Sequence, residues 1–512
     1  MNTTKFIPII GKNVIENLTV GMYDDPRFVY REYVQNAADQ IDIAKRENLY
    51  QHGDEPSIYI QIDADSKKIV IEDNATGIKR REFLSLLGNI AQSTKNKYED
   101  KGFRGIGRLG GLGYCEKLIF ETSFYGEDRK SIMTWDAKML KKIFNDESVT
   151  IDAAALISII TDYSFENPEN PDAHYFKVTM ENVTNENLLD VQQVRDYLSM
   201  VAPVPFANIF THRNKIYQTA SKKNIIIDEY NVYVNTDQLF KGYKDYIYKN
   251  NAIEDAIIDV AFFEEYYNEE LLFWGWFGIS KNMHQIPDEN KSRGIRLRKS
   301  NIQIGLENRL DEFHYKEQGN RYFIGEVYAI NKELIPNGRR DFFLDGTECM
   351  QFSKKLRELF HKKLYSLYYD FSKKNTATET MRKFDDLSEK LKDKYINQEE
   401  KKKTLNELKS IEKKVVDAKK ILPKLAKKYN GQVLGSIIKE SGFDFEKEQQ
   451  RKEQQEERGK NTGIDAQRII DNKKELSQEE EFLLKKVYVI IRQNPQMHGE
   501  ELVQKIDGEV RK

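Results

Sequence analysis

The sequence predicts an α+β protein: one mostly antiparallel sheet with helices on a face, then a second mixed domain, then helices. Three observations carry this. From Lys5 to Val183, alternating apolar runs interleave with runs of helical periodicity around the densest glycine cluster in the chain. From Thr184 to Ser372, strand-like runs recur and close on an amphipathic helix. Past residue 372, the composition turns abruptly to lysine, glutamate, glutamine and widely spaced aliphatics. The expected divisions are residues 1–183, 184–372, 373–445, 446–476 and 477–512.

Taken in order, Pro26 to Glu47 reads as one long helix with proline in its first turn. Ile58, Ile60 and Ile62 alternate with polar neighbours, Asp63 to Ser66 turns, and Lys67 to Glu72 resumes, which is a hairpin. Strands are expected at Lys117 to Ser123, Ser131 to Trp135 and Tyr175 to Met180. In the second region they are expected at Asn224 to Asn235, Leu271 to Ile279, Gly294 to Ile304 and Tyr322 to Ile330, with a helix over Gln351 to Phe371. Met381, Phe384, Leu387 and Leu391, then Leu405, Leu408, Ile411, Val415, Ala418 and Leu422, recur at steps of about three and four residues, predicting two coiled-coil helices. The charged tract from Glu446 to Asn461 reads as a solvated helix or linker. Ser477 with Glu480 forms a capping box ahead of Phe482, Leu483, Val487, Ile490 and Ile491.

Composition excludes several classes. The 81 basic and 83 acidic residues leave a net charge of −2, so a globally basic nucleic-acid binder is ruled out. Two cysteines, Cys115 and Cys349, cannot build a disulfide framework, and with 7 scattered histidines they fit no zinc-ligand spacing. The opening residues lack the pattern of a secretory leader, and the longest apolar run, near Ala153 to Ile160, is far shorter than a membrane span. A soluble, cytoplasmic protein is expected.

Three elements carry chemistry. On the first long helix, Glu32, Asn36 and Asp39 stand at i, i+4 and i+7, a polar line beside the apolar stripe of Val29, Tyr33, Ala37 and Ile41. The strand Ile69 to Asp73 delivers an aspartate into the turn Asn74-Ala75-Thr76-Gly77. Lys101 opens a run holding Gly102, Gly105, Gly107, Gly110, Gly111 and Gly113, a density that lets backbone amides approach an anion, with a helix expected from about Arg108. Each is ordinary alone: a solvated helix face, an Asx turn, a lone G-x-G-x-x-G. No βαβ unit surrounds the glycines, so they do not read as a dinucleotide fold.

The order E-x-x-x-N-x-x-D, D-x-x-x-G, glycine-rich lid resembles the GHKL superfamily of ATPases, whose core is a Bergerat-type α/β sandwich. Leu87 to Lys95 looks like the start of the lid in HtpG-type chaperones and MORC-type ATPases. The resemblance implies ATP and Mg²⁺ as ligands. It implies Glu32 as the general base, Asn36 as the Mg²⁺ ligand, and Asp73 as acceptor from the adenine amino group, with Gly77 making room for the base. Asp39 would help hold the site or the nucleotide, Thr179 would support the adenine contact, and Lys101 with Gly105, Gly107, Gly110, Gly111 and Gly113 would cradle the phosphates. Ala75 departs from the glycine usual there, which is tolerable at negative φ. Leu334 to Phe342 looks like the loop of a βαβ transducer domain that sends a basic side chain to the γ-phosphate, with Arg339 or Arg340 as the candidate.

Within the superfamily, the sequence has no room for the extra domains of a topoisomerase. It shows neither a phosphoacceptor helix ahead of the ATPase nor a nuclease metal cluster. The expected activity is a heat-shock-chaperone-like ATPase, a homodimeric clamp acting on a protein client or partner subunit. The alternative is a MORC-like ATPase that binds or compacts DNA, mildly favoured by the lysines of the coiled coil, though lysine on a solvated coiled-coil face is normal.

Overall fold

Alternation along short apolar segments builds the first sheet in the computed structural model of the chain, which describes residues 9–19, 25–50, 54–92, 107–167, 169–392, 396–432 and 435–437. The chain divides into Met1–Ile438 and Lys439–Lys512, and every described residue falls in the first unit. The expected lid stretch Ser93 to Lys95, Lys101, Gly105, the last residues of the 373–445 segment and both C-terminal segments, including the Ser477–Glu480 box, lie outside the described residues.

Helix α1 (Asn13–Thr19) precedes α2 (Phe28–Arg46), with Pro26 in the turn just before it. Strands β1 (Ser57–Asp63) and β2 (Lys68–Asp73) form the expected hairpin. There follow α3 (Arg80–Gly88), β3 (Lys117–Ser123), β4 (Lys130–Asp136), α4 (Ala137–Asn145), α5 (Ala153–Ile160), β5 (Thr161–Glu166) and β6 (Tyr175–Glu181). Asp136 and Asp152 cap α4 and α5 by accepting from the amides of Met139 and Ala155 at 2.7 and 2.9 Å.

Helices α6 (Val191–Val201) and α7 (Arg213–Lys222) lead to β7 (Asn231–Val234) and β8 (Asp237–Gln238). The eight strands run β5-β4-β3-β6-β2-β1-β7-β8, antiparallel except for β1 with β7. The sheet thus draws on chain well past residue 183. Ile58, Ile60, Ile69, Ile71, Leu118, Phe120, Val178 and Met180 bury one face in a core shared with Val29, Tyr33, Ala37 and Ile41 of α2. The opposite face carries an ion ladder, with Lys177 at 2.9 Å from Glu72 and 3.4 Å from Glu121, and Lys130 at 3.3 Å from Glu121.

The second sheet comprises β9 (Tyr246–Lys249), β10 (Ala252–Tyr267), β11 (Glu270–Ser280), β12 (Gly294–Lys299), β13 (Ile302–Gln303) and β14 (Ile324–Ala329), ordered β13-β12-β14-β11-β10-β9. β12 and β14 are parallel, as in a βαβ unit. Their crossover, however, holds two 3₁₀ turns, Asp311–Phe313 and Glu317–Tyr322, and no α-helix. Asn320 pins it short by accepting from the Ile295 amide at 2.7 Å and donating to Asp311 at 2.8 Å.

Helix α8 (Thr347–Leu359) passes through a π-helical turn, Phe360–Leu364, into α9 (Tyr365–Lys390), making one continuous rod. Helix α10 (Gln398–Lys428) folds back along α9: Lys390 meets Glu400 at 3.0 Å, and Lys428 meets Asp370 at 2.6 Å. The two expected coiled-coil helices therefore pack on each other within one chain. Met381, Ile411, Val415, Ala418 and Leu422 are buried, whereas Leu405 is exposed.

Candidate active site

Helix α2 places Glu32 and Asp39 in buried positions and Asn36 in a half-buried one, so the polar line borders the core. Burial of two carboxylates on one helix demands partners. Glu32 Oε1 accepts from Arg31 Nη2 at 3.1 Å, and Arg340 Nε lies 3.4 Å from the same oxygen. Of the two candidate arginines, Arg340 reaches α2, while Arg339 is exposed. The other oxygen, Oε2, faces Gly107: a Cβ there would lie 2.4 Å from it.

The loop that carries Arg340 is tight. Pro336 bridges Phe343, the Asn337 amide donates to the Phe342 carbonyl at 2.9 Å, and Arg340 has φ of 57°. Left-handed backbone at a non-glycine residue costs about 1 to 2 kcal/mol and clusters at functional loops. The Gly305 amide donates to the Arg340 carbonyl at 2.8 Å, and a Cβ on Gly305 would sit 2.8 Å from the Asp341 carbonyl oxygen.

Asp73 ends β2 on its inner face and accepts from the Ala75 amide at 3.1 Å. The turn after it is held on three sides. Thr76 donates to Gln40 of α2 at 2.8 Å, the Ile78 amide donates to Thr122 Oγ1 at 2.9 Å, and His174 Nδ1 lies 2.8 Å from the Ala75 carbonyl. Gly77 has φ of 65°, and a Cβ on it would fall 1.8 Å from the Ser123 carbonyl oxygen. Ala75 is fully buried without positive φ, the condition under which its departure from glycine is tolerable.

Gly107, Gly110, Gly111 and Gly113 form a 3₁₀ turn, Gly107–Gly113, in place of the expected α-helix. Gly107 and Gly111 instead let the turn lie against α2: a Cβ on Gly111 would meet the Tyr33 hydroxyl at 2.6 Å, and that hydroxyl donates to the Arg108 carbonyl at 2.8 Å.

Thr179 does not join the others. It pairs with Val70, while Phe176 stands opposite Asp73, so the pleat turns Thr179 to the face away from Asp73 and α2. Sequence reasoning also missed Arg31 and Gly305. Arg31 carries no periodic signal because it adjoins Glu32, and Gly305 lies apart from any glycine cluster. Among the described residues, no group of three or more His, Cys, Asp or Glu side chains could hold a metal ion. A metal here would depend on Asn36 and on oxygens brought by its ligand. A separate cavity of about 780 Å³ lies between Arg27, Phe28 and Tyr197 on one side and Arg293, Arg296 and Gly305 on the other. At its rim Arg27 pairs with Asp25 at 2.8 Å, and Gly305, whose amide donates to the Arg340 carbonyl, sets the cleft beside the Arg340 loop. No described helix is long and apolar enough to cross a membrane.

Residues 27–164 match the family described as histidine kinase-, DNA gyrase B- and HSP90-like ATPase. The chaperone protein HtpG of Anaplasma phagocytophilum is 32% identical over 141 residues, which is 24% of this chain and 22% of the relative. That of Anaplasma marginale is 29% identical over 139 residues, covering 25% and 22%. That of Buchnera aphidicola is 32% identical over 152 residues, covering 26% and 22%. The chain thus spans about a fifth of the length of the curated relatives it matches.

Proposed function

We propose, on the premise that this chain carries a GHKL-superfamily ATPase domain of the HSP90-like kind, that it binds and hydrolyses ATP. In this reading it is a cytoplasmic, ATP-gated homodimeric clamp or switch acting on a protein partner. The observation that carries the reading is the 3.4 Å contact between Glu32 on α2 and Arg340 on the loop beyond the second sheet. It joins a buried carboxylate to a cation from the other layer of the fold, the pairing that phosphoryl transfer to water requires. The relatives' name, chaperone protein HtpG, supports a protein as the partner.

Arg31 and Arg340 both engage Oε1, which leaves Oε2, facing Gly107, as the oxygen that takes the proton from water. The water oxygen then bonds to the γ-phosphorus as the bond to the ADP oxygen breaks. Asp73, buried at the end of β2, suits an acceptor for the adenine amino group, and Gly77 lets the turn that follows it close against the Ser123 carbonyl. Asn36 would hold Mg²⁺, whose charge offsets that of the phosphates. Arg340 would meet the transferring phosphoryl group and report its loss to the second sheet.

Steady-state Mg-ATP turnover beside calorimetric ATP binding tests this. Glu32→Ala is expected to bind ATP while turnover falls by about 10² to 10⁴. Arg340→Ala is expected to lose about 10² or more, and Arg339→Ala to stay within about twofold because its side chain is exposed. Undiminished turnover in Glu32→Ala removes it as the base. Equal losses in the two arginine variants reject the assignment of Arg340.

A further inference from the structure

The rod formed by α8, the π-helical turn and α9 buries one side and leaves an aromatic stripe on another. His361, Tyr365, Tyr369 and Lys373 repeat at i, i+4, i+8 and i+12, so they run along one line of the helix for about 18 Å. Tyr315, from the crossover between β12 and β14, lies beside this line. Its ring centroid is 4.8 Å from that of Tyr365 and 5.6 Å from that of His361. Tyr365 and Tyr369 stack at 5.7 Å with their planes 9° apart, and Lys373 Nζ stands 4.2 Å over the Tyr369 ring. Tyr315 is 61% exposed and Tyr369 46% exposed, far more than a tyrosine in a packed core.

We infer that this stripe is a docking surface for single-stranded nucleic acid. The exposed rings of Tyr315 and Tyr369, joined by the half-buried Tyr365 between them, offer stacking platforms that any base can use, and the cations beside them track the strand's phosphates. Lys316 and Lys373 are exposed along the stripe. The acidic groups nearby are partly neutralised: Glu358 pairs with Lys362 at 3.4 Å, and Asp370 with Lys428 at 2.6 Å, leaving Glu317 as the exposed carboxylate beside Tyr315. Lysine is depleted from the cores of protein interfaces, so tyrosines edged by lysines fit a polynucleotide better than an acidic peptide. The surface lies on elements separate from Glu32, Asp73 and the Arg340 loop, so it stands whether or not the chain hydrolyses ATP.

The test is fluorescence anisotropy of the full chain with a labelled oligothymidylate of about 20 nucleotides, a duplex of equal length and an oligoglutamate competitor, at about 50 and 200 mM salt. Single-strand binding is expected at the lower salt, weakening by at least about tenfold at the higher. Tyr315→Ala and Tyr369→Ala are each expected to weaken it by about tenfold, whereas Tyr315→Phe and Tyr369→Phe retain it, because stacking needs the ring and not the hydroxyl. ATP turnover and melting temperature in the same preparations would stay at wild-type values. Absence of single-strand binding at the lower salt overturns the inference. So does duplex binding of equal strength that ignores the tyrosine variants, or displacement by oligoglutamate as effective as by unlabelled strand.

Discussion

Two glycines of the candidate site forbid a side chain for different reasons, and the difference can be measured. At Gly77 a Cβ would lie 1.8 Å from the Ser123 carbonyl oxygen, and the residue has φ of 65°. Backbone on both sides cannot yield, so Gly77→Ala must displace the turn after Asp73. The expected loss is about 2 to 4 kcal/mol of stability, with ATP binding weakened at least about tenfold. At Gly107 the Cβ would instead meet Glu32 Oε2, the far end of a side chain, at 2.4 Å. Gly107→Ala should therefore keep its melting temperature while turnover drops by about 10² as the carboxylate is pushed aside. Calorimetry, thermal melts and turnover on both variants separate the cases, and equal melting losses would refute this account. The placement of Glu32 and Asn36 on one helix, and of Asp73 and Gly77 at one strand end, was legible in sequence because these residues come at fixed spacing. The sequence offers Arg339 and Arg340 equally, and the contact of Arg340 with Glu32 comes from a loop whose left-handed φ of 57° no local motif signals.

At the level of elements, pleat and packing decide what periodicity leaves open. Thr179 illustrates this: the strand was expected, but its register with β2 sets the face, and a one-residue offset turns a side chain away. Strand β10 escaped notice because register shifts between Ile257 and Asp259 and between Glu265 and Tyr266 break its alternation. The π-helical turn was equally invisible, and it packs against a residue with a pH signature. His314 is buried, its ring centroid 4.3 Å from that of Phe360, and among the described residues neither ring nitrogen has a hydrogen-bond partner. Burial lowers its pKa from 6.5 to about 3. Between those values the unfolded chain binds the proton and the folded chain does not, so stability is intact above about pH 6.5 and falls as pH drops toward 3. The loss approaches roughly 5 kcal/mol at the acid end. His314→Phe should flatten that part of the stability profile measured by denaturant unfolding. An unchanged slope would show that the imidazole is charged in the folded protein.

Across the whole first unit, the two sheets meet at a buried ionic cluster that neither sheet could tolerate alone. Lys241, just after β8, donates to Glu326 of β14 at 2.7 and 2.9 Å and to Asn301 at 2.7 Å. Arg298 of β12 pairs with the same carboxylate and donates to the Met200 carbonyl of α6 at 2.6 Å. Lys241, Arg298 and Glu326 are almost wholly buried. Burial alone would raise the Glu326 carboxyl, but Arg298 and Lys241 outweigh it and hold the group below its ordinary value. Its contribution is therefore present above the usual carboxylate range and lost as pH falls through the lowered value. α6 packs on α2, and the Arg340 loop hangs from the second sheet, so the cluster lies on the covalent and packed route between Glu32 and Arg340. Glu326→Gln strands two buried cations and is expected to destabilise the chain by about 3 to 5 kcal/mol. Replacing Lys241, Arg298 and Glu326 together with Met, Met and Leu should recover most of that stability, as apolar replacements of buried ion clusters do. If the cluster also sets the domain geometry, the triple variant will melt like the wild type yet lose turnover, because Arg340 no longer returns to within 3.4 Å of Glu32. Full turnover in a fully stable triple variant would leave the cluster a packing device with no part in joining the two halves of the site.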